Sequence, residues 1–190
     1  MLSNNFYLHS GKERDYILFA GHASPLESEY EYGEALLEYA EKLGVKELIS
    51  VGARWSQPIL SPVEAPKVLG FSSDEIGVNK LKDAGVPPLK SEAAFYFANM
   101  IVPLSKLHGV RGYKLSVDHG EPIPHPRSLI SILDVLSKLI GLEVDRTDLV
   151  AQSKELAEAI QKAEIEGLDV DEDREITGNR RPPQGDDIYR

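Results

Sequence analysis

Three groups of residues in this chain have types and spacing that suit chemistry. His22 and Ser24 stand together in the stretch Gly21, His22, Ala23, Ser24, Pro25, and Asp118, His119, Glu121 and His125 crowd a second, proline-rich stretch. Arg54 stands alone among apolar neighbours and suits an anion. A serine, a histidine and a carboxylate are the parts of a hydrolase or phosphorylase site, in which a base takes the hydroxyl proton and an oxyanion site holds the charge that develops. The signature of such a site is missing: there is no G-x-S-x-G elbow, and adjacent Asp118 and His119 diverge on an extended backbone. His22, His119 and His125 are also ligand types for zinc, but their spacing follows no zinc pattern, and no metal is expected. A ligase that binds a nucleotide needs a phosphate loop. No G-x-x-x-x-G-K-[ST] occurs, and Gly21, Gly33, Gly44 and Gly52 are accounted for by strand ends and helix caps, so no cofactor is expected.

The elements that would carry these residues are legible from periodicity. Asn5 to Ser10 and Asp15 to Ala20 are short aromatic and β-branched runs around a polar turn, which predicts a hairpin. The second run is nearly continuous in its hydrophobicity and reads as a buried strand delivering His22 and Ser24 at its carboxyl end. A helix follows, with Ser28 and Glu31 at capping-box spacing, Tyr32, Leu36, Tyr39, Ala40 and Leu43 on one face, and Gly44 as the stop. Glu47 to Ala53 is a buried strand that places Arg54 at its end, and Val63 to Phe71 reads as another strand. Ser73 to Ala84 is a short helix capped by Ser73 and closed by Gly85. Ser91 to Leu107 is a helix that Pro103 should kink. Tyr113 to Val117 is a core strand running into the Asp118 to Pro126 loop, so both candidate loops are expected at one end of the sheet. Pro126 opens a helix with Leu129, Ile132, Leu133, Leu136 and Ile140 on its core face, ended by Gly141. Leu149, Ser153, Leu156 and Ile160 mark a last helix. Strands alternating with helices predict a three-layer α/β/α sandwich whose sheet is mostly parallel or mixed.

Composition narrows the function classes. A net charge of −10 opposes phosphate backbones and anionic lipid, so neither nucleic acid nor membrane is an expected partner. The absence of cysteine removes disulfides and thiolate chemistry, and no leader or apolar run of roughly 20 residues is present. The reading is a soluble, cytoplasmic protein. From about Asp169 the chain turns charged and interrupted by glycine and proline, giving an expected domain at 1–168 and a flexible acidic tail at 169–190 that ends in Ile188, Tyr189 and Arg190.

The ordered part resembles the archaeal branch of the PAC2 (proteasome assembly chaperone 2) family. The resemblance is carried by Asn5, Phe6 and Tyr7, by D-Y-I-L-F-A-G from Asp15, and by Y-A-E-K-L-G-V-K-E-L-I-S-V-G-A from Tyr39. P-K-V-L-G-F-S-S-D from Pro66 and the stretch from His125 through L-I-G-L-E-V-D at Asp145 extend it. These are structural residues, more specific to fold than to activity. The resemblance implies a phosphorylase- or hydrolase-like α/β/α sandwich acting as a binding protein rather than an enzyme, as a homo-oligomer and without a cofactor. It also sets two departures. Relatives begin with a glycine-rich segment and a strand-helix unit with no counterpart here, which predicts a start late in the family's fold, the alternative being a short paralogue that shields an exposed sheet edge by oligomerising. Where many relatives carry a glycine-rich turn, this chain has Pro87, Pro88, Leu89, Lys90, Ser91 and Glu92. The terminal Ile188, Tyr189 and Arg190 resemble the hydrophobic-Tyr-X ending by which proteasome activators and assembly chaperones enter pockets between α subunits of the 20S core. That resemblance implies 20S α subunits as partners, with tyrosine and isoleucine buried and the terminal carboxylate paired to a lysine. The alternative is a ligase of the ATP-grasp-like kind or a hydrolase or phosphorylase built on the His22 and Asp118/His119 loops.

Overall fold

The computed structural model describes residues 4–21, 28–55, 65–90, 97–119 and 126–165. Compact contacts divide the chain into Met1–Asp145 and Arg146–Arg190. In the first unit, β1 (Asn5–Ser10) and β2 (Asp15–Ala20) form an antiparallel hairpin, with Phe6 opposite Phe19 and Leu8 opposite Ile17. Helix α1 (Glu29–Lys42) leads to β3 (Glu47–Trp55). Then come β4 (Val68–Ser72), α2 (Glu75–Asp83), α3 (Phe97–Ser105) with a 3₁₀ turn at Lys106–His108, β5 (Arg111–His119) and α4 (Pro126–Ile140). The second unit contributes α5 (Thr147–Ile165).

The sheet order is β3-β5-β4, with β3 parallel and β4 antiparallel to the central β5. This is a mixed α/β arrangement, as the sequence predicts. Strand alternation sorts the side chains onto two faces. Ile49, Tyr113, Leu115, Val117 and Val68 meet Leu81 of α2 and Ile132 and Leu139 of α4 on one face. Leu48 and Phe71 meet Leu37 of α1 and Ile101, Val102 and Leu104 of α3 on the other. The α3 backbone comes close to β5 because Gly112 has no side chain: a Cβ there would stand 2.6 Å from the Val102 carbonyl oxygen. Gly44 and Gly141, at φ 75° and 70°, end α1 and α4 in the left-handed conformation that glycine adopts without strain.

Five expectations are corrected. Strand β2 is not buried: Leu18 is 65% exposed, and its strand pairs only with β1 among the described residues. A run of apolar residues records what a strand can bury, not what covers it. The cap of α2 is Asp74, whose carboxylate accepts the Gly77 N–H at 2.7 Å, while the Ser73 hydroxyl accepts the Gly112 N–H at 2.9 Å. Ser28 does precede α1, but its side chain makes no capping bond. Helix α3 ends at Ser105, two residues past Pro103, and tightens into the 3₁₀ turn. The strand predicted from Val63 begins at Val68 within the described residues, and the first residues of the helix predicted from Ser91 lie outside them.

Candidate functional site

The carboxyl ends of β3 and β5 are the expected site, because parallel strands in register bring their last residues side by side. Arg54 lies opposite Asp118 and Trp55 opposite His119. The Arg54 guanidinium donates to the Asp118 Oδ1 from Nε at 2.8 Å and from Nη2 at 2.5 Å. The Asp118 backbone is fixed as well: its N–H donates to the Lys67 carbonyl at 2.9 Å, and its carbonyl accepts from the Ser128 hydroxyl in the first turn of α4 at 3.0 Å. The Oδ1 of Asp118 is thereby committed to the arginine as a structural partner. Asp118 and His119 are consecutive residues at the end of β5, as the strand extends beyond Val117. His22, Ser24, Glu121 and His125 lie outside the described residues, as do Ile188, Tyr189 and Arg190. The loops after β2 and β5 do not leave neighbouring strands of one sheet, because β2 belongs to the hairpin. Among the described residues no group of three or more histidine and carboxylate side chains is placed to hold a metal.

Behind the Arg54–Asp118 pair, the sheet face that meets α3 turns polar. Ser50 donates to the Ala98 carbonyl at 2.6 Å, and Lys114 is only 2% exposed, its ammonium lying where a Gly52 side chain would stand. Sequence reading passed over Lys114 because an alternating lysine in a strand looks like a solvent-facing one. The one available signal was Gly52, the small residue across the ladder that makes room for it.

Charge is concentrated at the opposite end of the strands. Glu47 accepts from the Tyr113 hydroxyl at 2.7 Å and from Lys80 at 2.9 Å, with Arg14 at 3.5 Å. Burial works to raise the Glu47 pKa, but the tyrosine and lysine hydrogen bonds and the Lys80 and Arg14 charges together outweigh it and hold the carboxyl below its ordinary value. The same environment pushes the Tyr113 phenol well above its ordinary value, through burial first and then the Glu47 carboxylate. Arg111 pairs with Asp74 at 2.8 Å. Its guanidinium and the Gly77 N–H lower the Asp74 carboxyl. This is an ion-pair lattice joining β3, β5 and α2, with its charges answered internally.

The described residues of Met1–Asp145 thus form an α/β/α module in which Arg54 is paired with Asp118, Glu47 with Tyr113 and Lys80, and Asp74 with Arg111, and no catalytic set is assembled among them. The PAC2 family pattern matches residues 1–164, and the chain belongs to the PAC2 family. Its fold is similar to that of Pyrococcus furiosus PbaA, an archaeal homolog of proteasome-assembly chaperone, with a TM-score of 0.71 and 20% identity over 86% of this chain and 66% of that one. It is similar also to Pyrococcus furiosus PbaB, an archaeal proteasome activator, with a TM-score of 0.71 and 24% identity over 86% and 72%. A Mycobacterium tuberculosis proteasome-assembly chaperone homologue gives a TM-score of 0.70 and 18% identity over 83% and 66%. At such identities the likeness is one of fold, and the chain spans 66% to 72% of the length of these three proteins. No functionally curated protein matches the chain significantly in sequence. Among the described residues no helix is long and apolar enough to cross a membrane.

Proposed function

We propose that this chain is a proteasome assembly chaperone-like binding protein that docks on the α ring of a 20S core through Ile188, Tyr189 and the carboxylate of Arg190. The observation that carries the reading is PAC2 membership over residues 1–164, followed by a charged, glycine- and proline-containing segment that ends in an apolar residue, a tyrosine and one more residue. The chemistry is that of terminal-carboxylate capture: a rigid aromatic ring and an aliphatic side chain fill an apolar pocket, and the carboxylate pairs with a cation at its mouth. A coil of some 20 residues spans roughly 25 Å, enough for the 1–168 body to sit above a pocket that the 169–190 segment enters. Several bodies in a homo-oligomer multiply the effect by avidity. Catalysis plays no part, in keeping with Asp118 being held by Arg54.

The test is binding of the full chain, of a chain ending at Asp187, and of a chain with one glycine added after Arg190 to purified 20S core and to isolated α rings at moderate salt. Binding by the full chain alone is expected, because truncation removes the anchors and the added glycine displaces the carboxylate. Undiminished binding by either altered chain would overturn the docking mode. No binding by any of them would turn attention to ligands of the His22 and Asp118/His119 loops.

A further inference from the structure

The amino ends of β3 and β5 carry charge that the ion-pair lattice does not use. Between them, the start of α2 and the 3₁₀ turn lies a cleft of about 360 Å³, walled by Lys46, Ser73, Asp74, Lys106, Gly109 and Arg111. The walls are tied together through the main chain. The Arg111 N–H donates to the Lys46 carbonyl at 3.0 Å, the Ser73 N–H to the Gly112 carbonyl at 3.0 Å, and the Gly109 N–H to the Lys106 carbonyl at 3.2 Å. Gly109, at φ 66°, turns the chain out of the 3₁₀ turn and toward β5. The backbone beneath all three cations is therefore set by the fold.

These walls hold an excess of positive charge. Three cations face one carboxylate, in a chain whose net charge is −10. Asp74 is already committed: its oxygens accept from Arg111 Nε at 2.8 and 3.0 Å and from the Gly77 N–H at 2.7 Å. Those bonds, Arg111 first, hold its carboxyl below the ordinary value, and the Lys106 charge adds to the effect from across the cleft. Glu47, next along β3, is taken by Tyr113 and Lys80. The ammonium groups of Lys46 and Lys106 make no hydrogen bond or ion pair among the described residues, and both residues are exposed. Ser73 adds a directed donor. Its oxygen accepts from the Gly112 N–H at 2.9 Å, which leaves its own proton to give, with no acceptor for it among the described residues. Arg54, the cation that the sequence offers to an anion, is held by Asp118, so the available cations stand at the other end of the strands.

We infer that this cleft binds a phosphate group, free or carried on a small molecule, with Lys46 and Lys106 supplying the charge and the Ser73 hydroxyl a hydrogen bond. A phosphate dianion matches the two positive charges that Asp74 leaves over, whereas a carboxylate answers only one of them. Arg111, held on Asp74, adds its field. The volume lies within the roughly 300–1,000 Å³ of small-molecule sites, so the body of a ligand has room beside its phosphate. The site lies in the unit Met1–Asp145 and uses none of Ile188, Tyr189 and Arg190. Its failure would leave the docking reading standing.

The probes are inorganic phosphate and glycerol phosphate, with acetate as the monoanion, each titrated into the full chain at one low ionic strength and at about pH 8, above the second ionisation of phosphate. Amide shifts are followed by NMR. Both phosphates should saturate, with shifts centred on Ser73, Gly109 and Arg111, and acetate should bind at least about tenfold more weakly. Glycerol phosphate binding the tighter of the two assigns the rest of the cleft to the body of a ligand, and equal binding assigns the site to phosphate itself. Lys46→Gln combined with Lys106→Gln should weaken phosphate binding at least about tenfold. Lys67→Gln combined with Lys90→Gln makes the same change of net charge at exposed positions outside the cleft and should leave binding unchanged. Unaltered amide shifts at Leu115 and Val117 show that both variants keep the fold. Three results would overturn the inference: shifts that do not saturate, an equal loss in the Lys67 and Lys90 variant, or acetate binding as tightly as phosphate. Each would mean that the lysines attract anions only as part of the general surface.

Discussion

Glu47 is the residue where most of the charge chemistry of this molecule meets, and its stability effect has a definite sign. Its folded-state pKa lies below the ordinary 4.5, so the native state holds this proton less tightly than the unfolded chain. The stability it contributes is complete above that ordinary value and is lost as pH falls through the lowered one. Tyr113 acts at the other extreme. Its folded-state pKa is raised above 10.0, so its contribution is complete below pH 10.0 and declines as the unfolded chain begins to ionise above it. Glu47→Gln should cost about 1–3 kcal/mol at neutral pH, since charged hydrogen bonds to Tyr113 and Lys80 are weakened together. It should also flatten the acid limb of the stability curve. Urea titrations of both proteins from neutral pH down to about pH 3 check this, and an unchanged acid limb would remove Glu47 from the account. Arg54 and Asp118 show how far single residues were legible in the sequence. Each was recognisable as a charged group beyond a strand, but their pairing depends on the β3-to-β5 register, which no local pattern encodes.

At the scale of elements, the hairpin, α1, α4 and the position of β5 followed from periodicity and from Gly44, Pro126 and Gly141. The misreadings share a cause: local sequence names the candidates for a role, and tertiary contact chooses among them. Ser73 and Asp74 are both good caps, and Asp74 is selected because Arg111 arrives from β5 to hold its carboxylate while Ser73 turns to Gly112. The apolar run of β2 suited a buried strand equally well, and although its hairpin pairing with β1 is as expected, the 65% exposure of Leu18 shows that nothing described covers it. The cap assignment makes a prediction at this scale. Asp74→Ala should be less stable than Asp74→Asn, because asparagine still accepts from Gly77 although it loses the charge that Arg111 pairs with. Chemical denaturation midpoints of the two variants measure the difference. Equal midpoints would mean that the ion pair, not the cap, is what α2 requires.

For the whole molecule, the residues proposed for docking on the 20S core and the groups that hold the fold together are different sets. The cores are built from Leu37, Val102, Tyr113, Leu115 and their neighbours, all within the unit Met1–Asp145. The docking reading rests on Ile188, Tyr189 and Arg190, more than 40 positions beyond that unit in sequence. If binding and folding are separable in this way, two changes should have opposite signatures. Cutting the chain after Ile165 should leave the thermal midpoint within about 2 °C of the full chain while abolishing binding to 20S core. Leu115→Ala, which empties a fully buried position between β5 and the α2 and α4 layer, should cost about 2–5 kcal/mol. Its binding should persist at temperatures where it remains folded. Scanning calorimetry and 20S binding on the same three proteins decide the matter. A midpoint that falls with the cut would make the last 25 residues part of the fold. Binding that fails in folded Leu115→Ala would place the contact on the body.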